Sequence, residues 1–97
     1  MAKKVVWSLR ARHDRKDIFN YWNKRNKSNH YSIRLNQLFS QAVSIISNSP
    51  KIGKMTEENN IRIKIVRDYL IIYEEFENEI HILTIFSSHQ NPANLKF

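Results

Sequence analysis

Residues 85–92 read IFSSHQNP: an apolar run gives way to two hydroxyls, an imidazole, two side-chain amides and a proline. His89 titrates near neutrality when unperturbed, and Gln90 and Asn91 each donate and accept hydrogen bonds. The group is suited to binding a polar partner or moving a proton. A Ser–His nucleophile pair is not implied, because adjacent strand residues point to opposite faces. The other histidines fall at His13, His30 and His81, with no ligand spacing such as i, i+4 on a helix, and cysteine is absent. No metal site and no cofactor are therefore expected. A second set is cationic. Arg62 and Lys64 alternate with isoleucines on one strand, Arg67 stands at the turn that follows, and Lys51 and Lys54 precede them. A charged pair on a strand also reads as its solvent side, and Arg67 with Asp68 as an ion pair across the turn.

The elements that must position these groups follow from periodicity. KKVVWS at 3–8 is a short strand, β-branched and aromatic at its centre, with Ser8 placed to cap a helix. In LRARHDRKDIFNYWNKR, Ala11, Ile18 and Trp22 recur at helical spacing, with Phe19 and Tyr21 beside them. Asp14 and Asp17 are expected early in that helix and Lys24 and Arg25 late, as the helix dipole favours. After the break at NKSNH, YSIRLNQLFSQAVSIIS carries Tyr31, Leu35, Leu38, Ala42 and Ile45 on one stripe, with Phe39, Val43 and Ile46 alongside. NSP at 48–50 ends it. Two amphipathic helices with a short link predict an antiparallel hairpin.

IRIKIV, DYLIIYEEF and IHILTIF then read as three strands with tight links, an antiparallel meander. The middle one is apolar on both faces from Tyr69 to Tyr73 and is expected to be central. The order β-α-α-β-β-β predicts an α+β fold: one antiparallel sheet packed against one helical hairpin. The length of 97 residues fits a single domain, 1–97.

Charge is divided unevenly along the chain. Residues 1–54 hold twelve Lys or Arg against Asp14 and Asp17, a net of +10, and residues 55–97 hold four against seven acids, a net of −3. The helical half is thus a cationic surface suited to nucleic acid, the ribosome or an acidic protein. The start MAKKVVWS lacks the apolar core of a signal peptide, and no apolar run approaches the ~20 residues that span a bilayer. A cytoplasmic protein without membrane or small-molecule partners is expected.

Four segments in order resemble the RelE/ParE family of toxins from bacterial toxin–antitoxin pairs. VVWSLRARHDRKDIFNYW resembles the family's first strand and helix, and SNSPKIGK its P..G link. IRIKIVRDYLIIYE resembles its paired strands, and IHILTIFSSHQNP its closing strand and QNP ending. The resemblance covers nearly the whole length and implies the same fold order. It also implies an antitoxin partner and one of two activities: cleavage of mRNA on the ribosome, or poisoning of DNA gyrase.

For the nuclease branch the resemblance implies a metal-independent endoribonuclease. Such chemistry needs a base for the 2′-hydroxyl, cations for the phosphorane and an acid for the leaving oxygen. Arg62, Lys64, Arg67 and His89 would form that set, with Lys51, Lys54, Gln90 and Asn91 binding the target. Three departures turn the reading toward the ParE-like, gyrase-directed branch. Leu70 stands where the nucleases carry arginine after a position like Tyr69, His89 replaces the arginine of RQNP, and NPANLKF supplies no terminal tyrosine. The alternatives are the RelE-like nuclease and a basic nucleic-acid-binding module without toxicity.

Overall fold

The computed structural model describes residues 2–88; His89, Gln90 and Asn91 lie outside the described residues. Strand β1 (Lys4–Trp7) leads into helices α1 (Leu9–Asn26) and α2 (His30–Asn48). A single 3₁₀ turn (Pro50–Ile52) follows, then β2 (Lys54–Met55), β3 (Ile61–Val66), β4 (Tyr69–Glu75) and β5 (Glu79–Ser87). The spatial order is β1-β5-β4-β3-β2, so β4 is the central strand as its two-sided apolar pattern requires. The three-strand meander and the helical hairpin are present. The sheet is mixed, however, because β1 joins β5 in parallel, Lys4 opposite Glu79 through Trp7 opposite Ile82. An antiparallel pair can be set by a hairpin, but β1 and β5 are separated by both helices and three strands, so no tight turn fixes their relative direction. The two-residue β2 has no alternation long enough to be read from sequence.

Ser8 caps α1 by accepting the Ala11 N–H at 2.9 Å, and its hydroxyl donates to the Leu83 carbonyl, tying the helix start to β5. No acid occupies the first turn of α1, contrary to the dipole-based expectation. Asp14 does other work. Its carboxylate accepts the Thr84 hydroxyl and the Ile85 N–H, and so completes the β5 ladder beyond Trp7, where β1 has ended.

The core lies between the hairpin and one sheet face. Leu35, Phe39 and Ile46 of α2 share one core cluster with Tyr73, Ile71, Ile80 and Ile82, all essentially without exposure, and Ala11 is the fully buried residue of α1. Each such aliphatic side chain contributes roughly 2 kcal/mol by burial. The α2 stripe is rotated from the expected one, so that Ser32 and Ser47 are inside and Ile45 is 44% exposed. Tyr21 is likewise outside at 52% exposure. Both rotations follow from the crossing of two helices over one sheet, which the pattern of a single helix does not contain.

Candidate functional site

The register of β3 decides where its cations go. Arg62 lies opposite Tyr73 and Lys64 opposite Ile71, so both face the helix side of the sheet. Ile61, Ile63 and Ile65 take the other face, and Ile65 is exposed. The charged pair is therefore not simply the solvent side of the strand. Arg62 reaches over the link between α2 and β2, where its guanidinium donates to the Gly53 carbonyl at 2.8 Å and the Lys51 carbonyl at 3.3 Å.

Tyr73 completes this corner from below. Its buried hydroxyl donates to the Pro50 carbonyl at 2.6 Å and accepts the Gly53 N–H at 2.9 Å. Burial raises its pKa above the usual tyrosine value, partly offset by the Gly53 N–H and the Arg62 charge. Gly53 has no room for a side chain: an added Cβ would lie 2.3 Å from the Tyr73 hydroxyl oxygen and 2.9 Å from Arg62 Cβ. Lys51 sits in the 3₁₀ turn, and its ammonium pairs with Glu75 at 2.9 Å, while Lys3 takes the other carboxylate oxygen at the same distance. Hydrogen bonds from Lys3, then from Lys51, hold the Glu75 carboxyl below its ordinary range.

The remaining cations are dispersed. Lys54 opens β2 opposite Ile63, which puts it on the far face from Arg62 and Lys64. Lys64 makes no hydrogen bond or ion pair among the described residues. Arg67 occupies the turn between β3 and β4 in the left-handed region at φ 54°, beside the point where the described chain leaves the sheet: the Ser88 N–H donates to the Asp68 carbonyl at 2.7 Å. Five strand positions separate Arg67 from Arg62, about 16 Å at 3.3 Å per residue. The structure thus joins Arg62 to Lys51 through a carbonyl and keeps Arg67 and Lys54 apart from them.

Proton-transfer groups near this face are also committed. The Trp22 indole donates to the Tyr69 hydroxyl at 2.7 Å, and burial raises the Tyr69 pKa against that bond. Neither Tyr69 nor Tyr73 is a ready base at neutral pH. His81, opposite Glu74 on β4, pairs with Glu79 at 2.9 Å, and His13 pairs with Asp17 at 3.3 Å on α1. Among the described residues no group of three or more His, Cys, Asp or Glu could hold a metal ion, and no helix is long and apolar enough to cross a membrane.

Sequence reasoning missed the Gly53–Tyr73–Arg62 corner, although its signal was available. Gly53 is the sole glycine of the chain, and it follows the proline that ends α2. It missed a groove on the outside of the hairpin too: the uneven charge marked the helical half as a cationic surface, but the place where α1 cations meet α2 amides depends on the packing of the two helices.

Comparison with known proteins adds identity to this geometry. The family model for the ParE toxin of the type II toxin–antitoxin system parDE matches residues 5–92. A chain in the solved structure of the chromosomal ParDE toxin–antitoxin system from P. aeruginosa is similar in fold. Its TM-score is 0.76 at 16% identity, with 89% of this chain and 96% of that chain covered. No curated protein matches in sequence.

Proposed function

The chain belongs to the ParE toxin family of type II toxin–antitoxin systems, and from that premise we propose that it arrests bacterial growth by binding DNA gyrase without catalysis of its own. The observation that carries this reading is the commitment of Arg62. Its guanidinium is spent on the carbonyls of Gly53 and Lys51, where a phosphodiesterase would need it on the scissile phosphate. Leu70 supplies no second cation after Tyr69, and the two phenols on the same side of the sheet are protonated and already bonded. A cognate antitoxin covers the toxin and keeps the host alive.

The test is direct. Purified toxin added to gyrase and relaxed plasmid should block supercoiling and accumulate cleaved DNA, and co-expression with the antitoxin from the neighbouring reading frame should restore growth. Unchanged supercoiling, together with codon-positioned cuts in translated mRNA, would replace this reading by the nuclease one.

A further inference from the structure

The outer side of the helical hairpin carries a groove of about 700 Å³ between α1 and α2. Phe19 and Ile33 supply its apolar lining. Arg12, Arg15 and Lys16 line one end and no acidic residue lines any of it. The two acids of α1 are turned elsewhere: Asp14 into the β5 edge, and Asp17 onto His13. Antiparallel packing of the helices brings the start of α1 beside the middle of α2, so the cations face Asn36 and Gln37. Towards the interhelical link the lining changes to amides.

The side chains of Arg12, Lys16, Asn36 and Gln37 make no hydrogen bond or ion pair among the described residues. Arg15 is fixed over the Trp7 ring, 4.5 Å from its centroid, which holds its charge at the groove with little rotamer freedom. The Ser32 hydroxyl donates to the Phe19 carbonyl and meets the Asn23 side chain, which ties the two helices together beneath the groove.

We propose that this groove binds the phosphodiester backbone of DNA. Three cations without an opposing acid supply the sequence-independent attraction. The amides add the neutral hydrogen-bond donors that position a backbone on a protein surface. An acidic peptide could use the same cations and amides. The duplex, however, presents its charges at a fixed, regular spacing along a stiff backbone and its binding must follow the counterion-release salt law, so salt dependence and competition separate the two. The assignment goes beyond the gyrase reading and does not depend on it, since DNA binding is measured on the toxin alone.

The experiment is fluorescence anisotropy of a labelled 20-base-pair duplex with purified full-length toxin across a KCl series. Neutralising three phosphates predicts that affinity falls about 40-fold between 50 and 200 mM salt. The double substitution Arg12→Gln/Lys16→Gln should weaken binding at 50 mM by at least about 10-fold and flatten the salt slope by about two units. Lys24→Gln/Lys27→Gln removes the same charge outside the groove and should change affinity less than about threefold. Equal losses in the two variants would mean diffuse attraction and overturn the assignment, as would an unaltered salt slope in the groove variant. Poly-glutamate of matched charge binding the groove as tightly as the duplex would assign it to an acidic protein segment instead.

Discussion

Two basic regions of this molecule use their cations in opposite ways. At the corner where α2 passes into β2, Lys3, Lys51 and Arg62 all have protein partners: a carboxylate shared by two lysines, and two backbone carbonyls held by one guanidinium. On the outside of the hairpin, Arg12 and Lys16 point into a groove with no acid in it. The corner looked functional from residue types alone, whereas its geometry is that of a clamp. A cation's chemistry is set by what has already satisfied it, and side-chain identity does not carry that information. The comparison predicts that substitutions at the corner change stability and that substitutions in the groove change binding.

The largest effect should come from Gly53→Ala. Its backbone is in an ordinary extended conformation at φ −70°, so the cost is space alone. The new methyl meets the Tyr73 ring and hydroxyl and the Arg62 Cβ, all within 2.9 Å. None can move without breaking the Pro50 bond or the strand register. Overpacking of this kind costs about 3 kcal/mol, which for a chain of this size lowers the melting temperature by over 10 °C, roughly. Circular dichroism melts check it, and an unchanged midpoint would show that the corner yields. Tyr73→Phe is the companion test. It leaves the Gly53 N–H and the Pro50 carbonyl without their buried partner and should cost about 2 kcal/mol in urea titrations.

Much of this contrast could not be read beforehand, for identifiable reasons. The helices, the meander and the central place of β4 were legible because burial imposes periods of 3.6 and 2 on the sequence. The parallel docking of β1 was not, since neither partner's pattern records direction. Arg62 and Lys64 were correctly placed on one face of β3, but which face meets the helices depends on the register with Tyr73 and Ile71. Asp14 was read as a dipole partner because its separation of 70 residues from Thr84 is invisible to any local window. In the groove, Arg12, Lys16, Asn20 and Asn23 do recur at helical spacing. That polar stripe becomes a site only when α2 lies beside it.

Glu75 gives the third test, because the clamp is electrostatic at its outer end. Glu75→Gln should lower stability at pH 7 by about 1 kcal/mol, since both ion pairs are lost at a carboxylate only 14% exposed. The pH dependence has a definite sign. A carboxyl held below its ordinary value of 4.5 in the folded state stabilises the fold above that value and stops doing so as pH falls beneath it. The gap between parent and variant midpoints should therefore be full at neutral pH and close below about pH 4.5. A gap that persists unchanged at pH 3 would mean that Glu75 acts through packing instead.

The smallest expected effect is the most informative about the groove. Arg12→Gln/Lys16→Gln removes two positive charges whose side chains contact no partner among the described residues, so nothing buried is orphaned. Such surface changes fall within about 0.5 kcal/mol. Their sign should be slightly stabilising, because Arg12 lies four residues into α1, where the helix dipole disfavours a cation, and neighbouring Arg10 and Arg15 repel it. The urea midpoint of the double variant should thus match or exceed that of the parent while its DNA affinity falls. A midpoint lower by more than about 1 kcal/mol would place Arg12 or Lys16 among the structural cations. The two basic regions would then differ in degree and not in kind.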